Sequence, residues 1–162
     1  MNPTLKSALN DQANHELFAA HSYLAMSLWC AANDYAGFAE FFEKQAEEER
    51  EHADTFLAHM LDRGVAPTLT GMDTPKAEFQ SLVEIAEYAE TLERRNSENI
   101  NQCYDIALSI KDFACQPMLL KFIDEQVEEE AWAAKMITLT KRAECPGAAY
   151  GLDRHIIKEL AD

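Results

Sequence analysis

Four stretches of this 162-residue chain, roughly 4–33, 37–63, 76–112 and 116–144, carry apolar side chains at steps of three and four, and each stripe is broken near its middle by a glutamate. The first stripe runs Leu5, Leu9, Gln12, Glu16, Ala19, Tyr23, Met26 and Cys30, and the second Phe38, Phe42, Gln45, Glu49, His52, Phe56 and Met60. The third passes through Leu82, Ala86, Ala89, Glu93, Asn96, Ile100 and Cys103, and the fourth through Leu119, Phe122, Gln126, Glu129, Ala133 and Met136. A stripe of this spacing faces a core. The pattern therefore predicts an all-α bundle of four long helices with four carboxylates at matching depth inside it. No stretch alternates with period two over a useful length, so strands are not expected. One further short helix is expected near residues 152–160.

The breaks between stripes set the topology. Turn residues fall at 33–37, 64–75, 115–117 and 145–147. The second break holds Gly64, Pro67, Gly71 and Pro75. Its twelve residues span roughly 40 Å when nearly extended. A helix of about 27 residues is also roughly 40 Å long. This link can therefore cross the whole bundle and leave helices two and three parallel, the one-crossover arrangement; a loose surface loop is the competing reading. A single domain covering 1–162 accommodates all of these segments.

The two halves of the chain echo one another. A shift of 77 residues places Glu16 on Glu93, Glu48 on Glu125, Glu49 on Gln126, Glu51 on Glu128 and His52 on Glu129. The turn near Asp34 falls near Lys111. The halves read as two related helical hairpins that share a pattern of site residues.

Charge narrows the chemistry. Twenty-nine acidic residues against fourteen basic ones leave a formal net charge of −15. Such a surface repels nucleic acid and anionic membranes and concentrates cations. No secretory signal and no membrane span is expected, since the uncharged stretch 23–32 falls well short of the roughly 20 residues that a bilayer requires. The four cysteines are scattered without a C-x-x-C pair, which suits reduced thiols and a cytoplasmic location.

The acidic run "EEEREHAD" at 47–54 reads, taken alone, as a solvated helix face. Glu49 and His52 nevertheless lie on the inward stripe, a turn apart, as an E-x-x-H pair. Buried carboxylates cost several kcal/mol each unless paired. No lysine or arginine lies on any stripe, so the acids must take up protons or bind a cation. A carboxylate-rich set with one imidazole and no thiolate favours iron or manganese over structural zinc. Two metal ions sharing Glu49 as a bridge would use Glu16, Glu49, His52, Glu93 and Glu129. Tyr23 lies about two turns beyond Glu16, placed either to donate electrons or simply to pack with its hydroxyl satisfied. His15, His21, His59, His155, Trp29 and Trp132 are read as packing or surface residues.

The segments "NHELFAAHSYLAMSLW", "AEEEREHADTF", "LERRNSENIN" and "FIDEQVEEEAW" resemble the four helices of the ferritins, specifically the non-haem ferritins of prokaryotic type. The resemblance covers essentially the whole chain. It implies one iron site of Glu16, Glu49 and His52, and a second of Glu49, Glu93 and Glu129 with Gln126 beside the oxygen-binding position. It also implies a third, weaker iron site of Glu48, Glu125, Glu128 and Glu129. The tail "PGAAYGLDRHIIKEL" is similar to the family's short fifth helix, which lines pores in a shell of twenty-four subunits. Bacterioferritins carry a second E-x-x-H, where this chain reads Gln126 to Glu129, and bind haem through a methionine at the position of Arg50; haem is therefore not expected. The implied function is iron storage and detoxification. Fe2+ is oxidised to Fe3+ with O2 or peroxide, and mineral is deposited inside a homo-oligomeric cage. The rival is a di-iron peroxidase or oxygenase that stores nothing.

Overall fold

The computed structural model describes residues 1–161; the last residue of the expected 1–162 domain lies outside them. The helices are α1 (Pro3–Ala32), α2 (Ala36–Asp62), α3 (Leu82–Ser109), α4 (Gln116–Arg142), α5 (Pro146–Asp153) and α6 (Ile156–Ala161), with no strand among the described residues. None of these helices is long and apolar enough to cross a membrane.

Helix boundaries follow local chemistry. Asn2 caps α1 by accepting from the Thr4 N–H at 2.9 Å, and Pro3 takes the first position, where a missing N–H costs nothing. The third helix starts at Leu82 and not at 76 as its spacing predicts. Ser81 Oγ accepts from the Glu84 N–H at 3.2 Å, and Glu84 Oε2 accepts from the Gln80 N–H at 2.6 Å. This reciprocal cap nucleates the helix at Leu82 and leaves the crossover running over residues 63–81, longer than the expected 64–75. The tail likewise forms two short helices, α5 and α6, where one was expected near 152–160.

Three helix ends turn through the left-handed region: Asp34 at φ 63°, Gly64 at 71° and Lys111 at 58°. Each is followed by an N–H that reaches back five residues: Tyr35 to the Cys30 carbonyl (2.9 Å), Val65 to Met60 (2.9 Å) and Asp112 to Ala107 (2.8 Å). Asp34 and Lys111 are related by the 77-residue shift, so the internal repeat extends to the backbone of the two hairpin turns.

The apolar core is in two parts. One contains Tyr23, Met26, Phe38, Phe42, Leu82, Ile85 and Met136, from the end of α1, the starts of α2 and α3 and the end of α4. The other contains Leu5, Leu9, Phe56, Met60, Ile100, Leu119 and Phe122, from the opposite ends of the same helices. Thus α2 and α3 begin in one cluster and end in the other. They run parallel, and the crossover traverses the bundle length. Between the clusters lies a buried polar layer that includes Gln12, Glu16, Gln45, Glu49, His52, Glu93, Asn96, Gln126 and Glu129.

Candidate metal centre

The polar layer exists because each of the four long helices places its stripe glutamate at mid-length, facing inward. No lysine or arginine is buried among the described residues. Four carboxyl groups thus share a dry layer with no side-chain cation to balance them.

The tightest grouping comes from α1 and α2. Glu16, Glu49 and His52 each offer one ligand atom, and these atoms lie within 4.8 Å of one another. His52 Nδ1 sits 3.4 Å from Glu49 Oε2. Glu16 Oε2, Glu49 Oε2 and His52 Nδ1 are all buried without a hydrogen-bond partner. Each orphaned polar atom costs about 1–3 kcal/mol. Three that converge, two of them carboxylate oxygens, match what a cation needs. The other Glu16 oxygen is engaged: Gln12 Nε2 donates to Glu16 Oε1 at 2.6 Å and to Asn96 Oδ1 at 2.5 Å.

Glu93 and Glu129 occupy the same layer but do not join that compact group. The Tyr23 hydroxyl donates to Glu93 Oε1, and Gln126 Nε2 donates to Glu93 Oε2 at 3.2 Å and to Ser97 Oγ at 3.2 Å. The Trp132 indole N–H donates to Glu129 Oε2. The residues expected at a third site lie at the edge. Glu48 and Glu128 are exposed, with Glu48 accepting from Gln45 at 3.0 Å. Glu125 is half-buried and pairs with Lys121 at 3.0 Å.

Burial shapes the electrostatics. It pushes the Glu16 carboxyl well above its ordinary range, and the neighbouring Glu49 charge pushes it further. Glu49 is raised by burial and then by the charge of Glu93. Glu93 is raised by burial, against the hydrogen bonds from Tyr23 and Gln126. Glu129 is raised to about 8, by burial first and Glu93 next, with the Trp132 bond opposing. Burial and the Glu93 charge push the Tyr23 hydroxyl up as well. Without a cation the layer holds protons; a multivalent cation supplies the missing positive charge and displaces them. Carboxylates with one imidazole suit iron or manganese.

Four residues escaped the sequence reading as site members. Gln12 and Asn96 were on the traced stripes, but polarity beside a glutamate did not mark them as its partners. Ser97 was off the stripe. Trp132 stands three residues after Glu129 on the same face, and spacing alone does not separate an indole that packs from one that donates. Tyr23 both packs against Phe42 and donates to Glu93, so its two readings merge.

This arrangement has relatives. The Ferritin family, described as a ferritin-like domain, matches residues 6–143. A bacterial non-heme ferritin of Staphylococcus saprophyticus is 42% identical over 131 residues, covering 81% of this chain and 78% of the relative. One from Staphylococcus aureus is 37% identical over 157 residues, covering 96% of this chain and 95% of the relative. Among solved structures, an open-pore ferritin from the archaeon Archaeoglobus fulgidus superposes with a TM-score of 0.93 at 28% identity, with 96% of each chain covered. With the match running through all four long helices and the polar layer between them, the chain belongs to the ferritin family.

Proposed function

We propose that this protein is an iron-storage ferroxidase, a single di-iron domain over residues 1–162. Family membership supports iron storage and iron oxidation in general terms. The observation that carries the finer reading is the Glu16, Glu49 and His52 group, whose ligand atoms lie within 4.8 Å of one another and each of which has a buried atom without a partner, in a chain with no buried lysine or arginine among the described residues. Here Fe2+ is the substrate. Glu16, Glu49 and His52 hold the first ion. Glu49 reaches toward a second, held with Glu93 and Glu129 on the α3–α4 side. Two Fe2+ ions give up one electron each, and O2 takes both electrons with two protons to leave peroxide. Peroxide itself serves as the alternative oxidant.

The remaining residues organise that step. Gln126 fixes Glu93 and lies where the oxidant approaches the second ion. Tyr23, bonded to Glu93, is placed to supply a further electron. Glu48, Glu125 and Glu128, with Glu129, form a third site on the way out of the layer, and the ferric product mineralises in a cavity enclosed by copies of this chain. Exposed Leu28, Leu61, Phe113 and Val127 offer the apolar area that self-association covers. A shell of twenty-four copies of the 18.3 kDa chain has a mass of about 440 kDa. The net charge of −15 fits a cytoplasmic protein that repels nucleic acid and anionic membranes.

The test is anaerobic Fe2+ titration followed by oxygen, read by absorbance. The parent should bind two Fe2+ per subunit and oxidise them in one fast phase. Glu16→Ala should abolish that phase while the helical signal persists, because a crowded carboxyl has been removed and no apolar core lost. Parent-like initial rates in this variant would sink the assignment.

A further inference from the structure

An open cavity of about 640 Å3 lies between α1, α3 and the crossover segment. Its lining mixes apolar side chains such as Phe18, Met72 and Ile106 with polar ones: Asp11, Asn14, Asp73 and Asn99 contribute oxygens, and Arg95 stands among them. The roof is fixed in place. Asn10 Oδ1 accepts from the Thr68 N–H at 2.7 Å, Asn14 Oδ1 from the Thr70 N–H at 2.8 Å, and both side-chain amides donate back to the Thr68 carbonyl at 3.1 and 2.9 Å. Four hydrogen bonds from two turns of α1 thus strap the crossover over the cavity without filling it.

The floor leads to the metal centre. Gln12 lines the cavity and is 2% exposed, and its amide bonds directly to Glu16. Two buried atoms of the Gln12–Asn96 pair, Gln12 Oε1 and Asn96 Nδ2, have no partner. The seal between the cavity and Glu16 is therefore an amide pair with an unused oxygen on the cavity-lining residue. The routes along the bundle axis are closed by Phe, Leu and Met side chains of the two apolar clusters, where an aquated ion would lose its hydration with nothing in exchange. His15 also lines the cavity with Nε2 unpaired.

We infer that this cavity is a port through which aquated Fe2+ reaches Glu16 from the bundle surface, with the Gln12–Asn96 amide pair as its gate. The inference rests on the ferroxidase reading of the polar layer. Asp11 and Asp73 outweigh Arg95 in the lining and draw the cation in. Amide and hydroxyl oxygens then replace its water one at a time, and Gln12 swings aside to hand it to Glu16.

The experiment is stopped-flow oxidation of two Fe2+ per subunit by the assembled protein. Gly71→Trp puts bulk at the mouth, at a position where an added Cβ meets nothing within 4 Å. It should slow the fast phase several-fold, leaving its amplitude and the anaerobic Fe2+ stoichiometry unchanged. Ala77→Trp fills the separate groove beside the end of α1 and the start of α3, away from the centre, and should keep the parent rate. Arg95→Glu, which adds no bulk, should raise the rate about twofold at low ionic strength and lose that gain in high salt. The port is overturned if Gly71→Trp oxidises at the parent rate, if it is slow because equilibrium binding is lost, if Ala77→Trp slows equally, or if Arg95→Glu changes nothing. A parent with no fast phase would instead overturn the ferroxidase reading on which the port depends.

Discussion

Replacing Trp132 with Phe removes one N–H donor from a buried carboxylate and keeps most of the surrounding aromatic packing. In the parent the indole donates to Glu129 Oε2, and its ring lies 4.9 Å from Phe41 and 6.3 Å from Tyr23, centroid to centroid. A hydrogen bond to a charged group contributes about 1.5–3 kcal/mol. Trp132 holds one oxygen of Glu129 and so turns the other toward the layer. Without that constraint the carboxylate must be ordered by the metal itself, and the second Fe2+ should bind about 10- to 100-fold more weakly. No bond from Trp132 reaches Glu16, Glu49 or His52, so the first Fe2+ should bind as before. The smaller ring also leaves a void, expected to lower stability by about 1–2 kcal/mol. Anaerobic calorimetric titration with Fe2+ resolves the two binding steps, and thermal unfolding of the metal-free protein reports the packing loss separately. Equal weakening of both steps would show that Trp132 acts through packing alone. An unchanged second step would show that its bond to Glu129 plays no part in binding.

Changing Glu128 to Ala should leave the first oxidation nearly intact and alter the rate of later Fe2+ additions; loss of the first fast phase would mean that the centre lies elsewhere. Gly37→Ala places a Cβ 1.8 Å from the Asp153 carbonyl oxygen, on the segment whose Asp153 Oδ1 caps α2 by accepting from the Phe38 N–H at 3.0 Å. Overpacking and a lost cap together should cost about 2–4 kcal/mol and expose the tail after Cys145 to limited proteolysis; a protease-resistant variant of parent stability would refute the contact. Asp112 accepts from Arg63 in a two-pronged pair at 3.0 and 2.9 Å and from the Cys115 N–H at 3.2 Å, which ties together the ends of α2, α3 and α4. The Arg63 bonds hold the Asp112 carboxyl below its ordinary range, so their stabilisation is complete above the unfolded-state value and fades as pH falls through the lower folded one. Asp112→Asn should therefore cost about 1–2 kcal/mol at pH 7 and progressively less below about pH 4, measured as paired denaturant curves across pH; a gap that persists at low pH would refute the ionic origin.

What could be read from the chain and what could not divide along a physical line. Helical spacing reports which side of a helix faces inward, and all four stripe glutamates are in fact buried at mid-bundle. The length of the second break implied a crossover, and the two core clusters require one. The 77-residue echo placed the turn near Asp34 on the one near Lys111, and the structure adds that both residues are left-handed. Spacing does not report what a side chain does once inside. Gly37 read as turn punctuation, yet it lies in the first turn of α2, and its lack of a Cβ serves contact with Asp153, more than a hundred residues away in sequence. Glu93 read as the equal of Glu16, yet Tyr23 and Gln126 occupy both of its oxygens, while Glu16 keeps one free. A carboxylate has two oxygens, and which of them is already engaged decides what it can offer a metal. That property belongs to neighbours the stripe does not single out: Tyr23 of α1 and Gln126 of α4 for Glu93, and, on the ligand's own helix, Gln12 for Glu16 and Trp132 for Glu129. The pattern along a single helix can place a ligand at the right depth, but the hydrogen bonds it makes there decide which of its oxygens stay free. Under the proposed ferroxidase reading, the side of the layer with unengaged atoms on Glu16, Glu49 and His52 would accept the first ion, with Glu93 and Glu129 recruited afterwards.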